Sequence, residues 1–417
     1  MNLMLKFQKP QGGDNVFILN QDQEFIVNKA IDWFYNSNSQ VFEFDGGPGT
    51  GKSVVLNEII QRLGLDPLTE VAPMSFTGSA SLVMRMKGLV SARTAHSWIF
   101  NVRPVKMLDE HGKPVMDELM NCPIMIPKFI PVESLDSNIK IIVIDEAYSM
   151  PASLRPTIEK FGLKIIACGD QNQLPPVNDT PAFLTGPNVY HLTKCMRQIG
   201  REDINFISSR VNQGLPLLNG YYGNSLVINS QDLTDNMLLW ADVVICGKNR
   251  TRDMINDRIR KAKGYTSKLP QYGEKVVCRN NNWLEGVSLD NGSEINLCNG
   301  LIGTVVSNPD VSTYDGKLFS MDFCPDLAPQ IVFKNSRCNY KHMISEYETR
   351  LKIRNNKWEI GNKFEFAYCI TSHIAQGSQF HKVVYIEESM PPTIQTCVNL
   401  VGASRADQQL IYVKCHP

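Results

Sequence analysis

The 417-residue sequence lacks any excess of charge: 42 Lys and Arg balance 42 Asp and Glu. Global charge therefore gives no argument for a polyanionic partner, and any nucleic-acid site must be a local groove. The eleven Cys are scattered singly, with no C-x-x-C and no His pair at zinc spacing. No local zinc motif is present, and the pattern fits reduced thiols of a cytosolic protein. No run approaches the ~20 apolar residues of a membrane span, and residues 1–10 have no long apolar core. A soluble intracellular protein is expected. Internal repeats, low-complexity tracts and long linkers are absent too. The 43% hydrophobic and 20% charged residues exclude wholesale disorder, and the length allows two or three domains.

What is present begins with Gly46-Gly47-Pro48-Gly49-Thr50-Gly51-Lys52-Ser53. It fits G-x-x-x-x-G-K-[ST] at every constrained position and lies between a strand-like run at 41–44 and a helix-like run at 54–63. Glycines let the backbone curl so that N–H groups face a phosphate, and the helix N-terminus adds partial positive charge. Gly47, Gly49, Thr50, Gly51, Lys52 and Ser53 are the expected nucleotide contacts. Lys52 would reach the β- and γ-phosphates of ATP, and the Ser53 hydroxyl would ligate Mg²⁺.

Short apolar runs at 139–144, 163–168, 243–246 and 383–386 alternate with helical patterns, which argues for parallel α/β layers. Two regions break that rhythm. Residues 101–137 are proline-rich with a turn signal at Asp109-Glu110-His111-Gly112-Lys113, and read as a small hairpin insert. Residues 280–358 are rich in Asn, Gly and β-formers, and read as a small barrel-like β insert. The expectation is two α/β cores, 1–200 and 201–417, each carrying one insert.

The run at 139–144 ends directly in Asp145-Glu146. After a phosphate loop, such a pair reads as a carboxylate holding Mg²⁺ (Asp145) and one polarising the attacking water (Glu146). The run at 163–168 ends in Gly169-Asp170-Gln171-Asn172-Gln173-Leu174-Pro175-Pro176, where Gln173 is the candidate γ-phosphate sensor.

In order and separation these segments resemble superfamily 1B DNA helicases, specifically the RecD-like branch that includes the small phage Dda helicases. The resemblance runs from about residue 23 to 405. It adds Gln23 as the adenine-reading glutamine and Arg197, in Leu192-Thr193-Lys194-Cys195-Met196-Arg197-Gln198, as an arginine on the γ-phosphate. It adds Arg405, in Val401-Gly402-Ala403-Ser404-Arg405-Ala406, as a finger supplied by the second domain. It implies two RecA-like parallel-sheet domains, with an SH3-like barrel as the second insert. It also implies 5′-to-3′ movement on single-stranded DNA and unwinding of duplex. Single strands and duplex junctions are the implied partners, with replication or recombination proteins beside them. A monomer in the cytoplasm, phage-encoded, is the setting this suggests.

Two arginines make electrostatic sense, because phosphoryl transfer spreads negative charge over the γ-oxygens. For nucleic acid, Pro73, Thr77 and Gly78 resemble the family's A-P-T-G-K-A-A. Thr94 and His96 resemble T-x-H-S, and Thr371 and His373 resemble T-x-H-K-x-Q-G-S. Asn249 and Arg250 open a basic stretch that reads as a further contact or as a solvated helix. The family's lysines are replaced here by Ser79 and Ile374, and no aromatic wedge stands at the hairpin turn. An RNA helicase, a translocase that does not unwind, and a nucleotide-switched binding module are the competing readings. Intact Glu146 and Arg405 argue against the last.

Overall fold

Asn20 and Gln23 set the first helix, Gln21–Asn36. The Asn20 side chain accepts from the Gln23 N–H and the Gln23 side chain accepts from the Asn20 N–H, both at 3.0 Å, a reciprocal cap that satisfies two free donors. The computed structural model describes residues 19–415 apart from 118–121, 177–178, 195–201, 289–293, 312–315 and 357–359.

The first domain is built on a six-stranded sheet. Its order is Val189–Leu192, Val41–Gly46, Lys164–Gly169, Ile141–Ile144, Val71–Ser75 and Arg93–Thr94, every neighbouring pair parallel. Ile141, Ile142, Val143 and Ile144 are all fully buried, as strands covered on both faces require. One face packs on Ile26, Val55, Leu56 and Ile59 from the first two helices. The other packs on Ile99, Met150, Ile158 and Phe183. The sheet order has a consequence for chemistry. The carboxyl ends of Val41–Gly46, Lys164–Gly169 and Ile141–Ile144 lie side by side, so the three motifs that follow them open into one crevice.

The second domain repeats the plan. Its sheet runs Gly220–Tyr222, Ser225–Asn229, Ala406–Lys414, Phe380–Ile386, Val243–Cys246 and Cys369–Thr371, parallel except for the first pair. Cys246 pairs with Thr371, so the segments starting at Gly247 and Ser372 leave adjacent strand ends.

Both inserts are antiparallel. Phe100–Lys106 pairs with Met125–Pro131 along its whole length, and the chain reverses where the turn signal stands. There Asp109 Oδ1 accepts from the His111 and Lys113 N–H groups, and Gly112 takes φ 76°. In the second domain, Lys275–Cys278, Ile302–Val305, Leu318–Pro325, Phe333–Asn339 and Phe364–Phe366 form a five-stranded sheet. A bridge between Cys338 and Asn362 curls its edges together into a barrel-like unit around Phe319, Phe323, Phe333 and Phe364. Its first and last strands in the sequence lie outside the 280–358 range; they are only four and three residues long and flank the Asn- and Gly-rich stretch. The domain boundary at residue 200 falls outside the described residues.

Candidate nucleotide cleft and nucleic-acid groove

The phosphate loop is shaped by two left-handed glycines, Gly49 at φ 83° and Gly51 at φ 89°. Gly51 caps the helix Lys52–Arg62. A Cβ there would lie 2.4 Å from Gln23 Nε2. That amide donates to the Thr50 carbonyl at 2.9 Å, so Gln23, 1% exposed, braces the loop from behind. Its carboxamide is engaged on both sides, by the helix cap and by the loop. Lys52 Nζ donates to the Gly46 carbonyl at 2.7 Å, folded onto its own loop.

Asp145 and Glu146 end the central strand beside it. Asp145 is buried, and its Oδ1 accepts from the Glu146 N–H at 2.9 Å and from the Cys168 thiol at 3.3 Å. Burial and then the neighbouring Asp145 push that thiol well up, so it stays a donor. Glu146 adopts φ 52°, a left-handed conformation that costs a non-glycine residue about 1–2 kcal/mol. Burial and the Asp145 charge raise its pKa above the ordinary carboxylate value, with Lys52 and Arg405 opposing. A more basic carboxylate within the fields of Lys52 and Arg405 suits activation of water. The Ser53 hydroxyl and the Asp145 carboxylate form an oxygen-only donor set, the chemistry Mg²⁺ takes together with phosphate oxygens.

From the next strand end come Asp170 and Gln173, 1% and 4% exposed. Asp170 Oδ2 has no hydrogen-bond partner. Gln173 Oε1 accepts from Gln376 Nε2 at 3.1 Å, and Leu174 packs on Val398 and Val401. The two domains therefore meet at the third motif. Gln376 had no assigned role in the sequence; its glutamine partner is some two hundred positions away. Arg405 lies on the same side, buried, with its guanidinium donating to the Val401 and Ser378 carbonyls and to Ser404 Oγ. Arg197 lies outside the described residues. The segment leading to it is tied down: Thr193 Oγ1 donates to Asp22 Oδ2 at 2.5 Å, and His191 Nδ1 meets Asp45 Oδ1 at 2.5 Å.

The expected nucleic-acid residues divide. Thr77 is exposed and caps the helix Gly78–Met86, its Oγ1 accepting from the Ala80 N–H. Thr94 caps Ala95–Ile99, accepting from the Ser97 N–H. His96 sits between Phe76 and Phe100, with ring centroids 6.2 and 6.1 Å away, and burial lowers its pKa. Asn249 and Arg250 open the helix Asn249–Ala262, with Asn249 Nδ2 donating to the Tyr347 hydroxyl and Arg250 exposed. His373 is exposed just beyond the adjacent strand.

Three of the expected residues are enclosed by their neighbours to different degrees. Pro73 is buried within the sheet. It pairs with Val143 on one side, while the strand on the other side reaches only Met74 and Ser75, and the Pro73 carbonyl accepts from Trp98 Nε1. Thr371 is 5% exposed, enclosed where its strand ends. Gly78 is half-buried beside the second insert: a Cβ there would lie 2.2 Å from Cys298 Sγ. The basic stretch is also less available than it reads. Arg252 pairs at 2.7 Å with Glu365, and Arg260 holds Glu274 at 2.8 Å, all four side chains largely buried.

The residues that replace the lysines are packed. Ser79 is buried, next to Gly300 of the insert. Ile374 packs on the second domain's core. Between the first domain and the insert runs a cavity of about 400 Å³, lined by Gly78, Arg85, Arg93, Thr94, Trp283 and Asn296 among others. Aromatics absent from the hairpin turn appear on its strands. Phe76, His96, Phe100, Phe129 and Trp283 follow one another with centroids 5.8–6.2 Å apart.

A family model described as an AAA domain matches residues 19–227. Three solved structures share the fold. One, described as the structural basis for DNA unwinding at forked duplex DNA by two coordinating Pif1 helicases, is 17% identical with a TM-score of 0.54, covering 95% of this chain and 92% of that one. Pif1 helicase from Candida albicans is 17% identical with a TM-score of 0.51, covering 95% and 94%. Bacteroides Pif1 bound to single-stranded DNA is 18% identical with a TM-score of 0.53, covering 95% and 92%.

Proposed function

We propose that this chain, which belongs to the AAA-domain family of Pif1- and RecD-like superfamily 1 helicases, uses ATP to move 5′-to-3′ along single-stranded DNA and unwind duplex. The observation that carries the reading is convergence. The phosphate loop, Asp145-Glu146 and Gln173 open into one crevice, and the second domain brings Gln376 and Arg405 to its far side.

In that crevice the loop N–H groups and Lys52 take the phosphates of ATP. Ser53 and Asp145 would hold Mg²⁺, which would supply positive charge against the phosphates. Glu146 accepts a proton from the attacking water. Arg405 exchanges its carbonyl partners for the γ-phosphate when the domains close, and Gln173, bonded to Gln376, passes loss of that phosphate across the interface. Arg197 joins Arg405 on this reading. Thr77, Thr94, His96, Asn249, Arg250 and His373 position the strand through phosphate and sugar. The aromatic series from Phe76 to Trp283 offers bases a stacking surface. Among the described residues no helix is long and apolar enough to cross a membrane. A monomer acting in the cytoplasm at duplex junctions, beside replication or recombination proteins, completes the proposal.

Strand displacement tests it on matched DNA duplexes with a 5′ tail, a 3′ tail or none, and on a 5′-tailed RNA duplex. ATP-dependent opening of the 5′-tailed DNA, lost in folded Lys52→Ala, is the expected result. Opening of the 3′-tailed duplex alone would reverse the polarity, and failure on every DNA duplex would remove the helicase assignment.

A further inference from the structure

Ser53 and Asn57 are four residues apart on the phosphate-loop helix and so share one face. Residue 87 meets both. Asn57 Nδ2 donates to the Lys87 carbonyl at 2.9 Å, and Lys87 Nζ donates to Ser53 Oγ at 3.1 Å. The lysine's backbone is fixed. Its N–H donates to the Val83 and Met84 carbonyls, Gly88 follows in the left-handed region at φ 105°, and Leu89 plugs into the core. The side chain therefore starts from a set point beside the loop. Lys52 is turned to the Gly46 carbonyl, so Lys87 is the lysine that meets the Ser53 hydroxyl.

The contact falls on the hydroxyl that the loop pattern reserves for a divalent cation. An ammonium bonded to that oxygen occupies one of its two lone pairs and repels a second cation approaching the same atom. We propose that Lys87 is a positioning residue that holds the Ser53 hydroxyl until Mg²⁺ and nucleotide arrive and is displaced by them, so that it sets the Mg²⁺ requirement of nucleotide binding. The inference rests on reading residues 46–53 as an Mg²⁺–nucleotide site.

The test follows binding of a fluorescent ADP by anisotropy, with the full chain, as MgCl₂ is titrated at a fixed subsaturating nucleotide concentration. Lys87→Met is expected to lower the Mg²⁺ concentration at half-maximal binding by about 3- to 10-fold, the scale of removing one nearby partly screened charge. Lys87→Arg, which keeps charge and donors, is expected to stay near wild type. A packing role alone would shift thermal melting without moving the Mg²⁺ midpoint. Should Lys87→Met melt early, Lys87→Gln carries the same comparison. An unchanged or raised midpoint in a folded neutral variant, with wild type binding normally, overturns the role of Lys87 alone. Wild-type protein that binds no nucleotide overturns the phosphate-loop reading and this inference together.

Discussion

Gly51 shows how much one residue decides at the phosphate loop. Its φ of 89° strains any residue with a side chain, and a Cβ there would lie 2.4 Å from Gln23 Nε2 and displace that amide from the loop. The loop's curl, the helix start at Lys52 and the bracing by Gln23 depend on that one position. Residues of this kind are legible in sequence because their partners are close by and their types are few. Asp145 and Glu146 are legible for the same reason, at the end of an unbroken β-branched run. Gln376 and Lys87 are not, because each gains its meaning from a contact with a distant segment. Gln23 adds a part that the sequence did not suggest: its carboxamide also bonds to the helix cap and the loop. Glu146→Gln keeps the side chain's size and removes the base. It should bind ATP normally while hydrolysis falls by about 10²- to 10⁴-fold, the usual contribution of general acid–base catalysis. Equilibrium binding of a fluorescent ATP analogue beside steady-state ATPase checks this, and loss of binding would make Glu146 a binding residue instead.

Among the elements, strands of the two parallel sheets follow from β-branched runs, and the hairpin follows from its Asp-to-Gly turn. The second insert is harder to read, since its bounding strands are short and its first strand pairs with partners about 25 and about 90 residues away. The helix Asn249–Ala262 misleads in a different way. Its arginines look like phosphate contacts, yet Arg252 and Arg260 are held by Glu365 and Glu274, and no local signal marks those carboxylates. Arg252, Arg279 and His342 surround Glu365, tying this helix to the insert. His342 is fully buried with neither ring nitrogen hydrogen-bonded. Burial holds its pKa down to about 3; Glu365 opposes this, while Arg350, Arg354 and Lys363 add to it. The folded protein thus carries a neutral imidazole that the unfolded chain protonates below its ordinary pKa of about 6.5. Stability should fall as pH drops through that value toward 3, by up to about 1.4 kcal/mol per pH unit from this group. Between pH 6.5 and 5 that is about 2 kcal/mol, a shift in melting temperature of roughly 4–8 °C for a domain of this size. Thermal melts at pH 7 and pH 5 should show His342→Gln losing less than wild type by about that amount. Equal losses would place the acid sensitivity elsewhere.

At the scale of the whole molecule, each domain carries part of an incomplete site. The first contributes the phosphate loop, Asp145, Glu146 and Gln173; the second contributes Gln376 and Arg405. They meet at the crevice through an amide–amide bond and the packing of Leu174 on Val398 and Val401, and away from it through the second insert, where Leu82 joins the insert's core and Phe129 meets Trp283. Arg405 donates to carbonyls of its own domain, and on the proposed reading it exchanges them for a γ-phosphate. That the two halves belong to one site was legible from motif order. How they touch was not, because an interface between separate α/β cores leaves no periodic trace in either. A strand lying across both domains would favour closure and hence hydrolysis. The most direct test measures ATPase against single-stranded DNA concentration for wild type and Arg405→Ala, with DNA affinity followed by anisotropy at fixed salt. The account predicts strong stimulation of wild type, loss of most of it in the variant, and retained salt-dependent DNA binding. Undiminished stimulation in folded Arg405→Ala would take the arginine out of the site and contradict a motor assembled between the two domains.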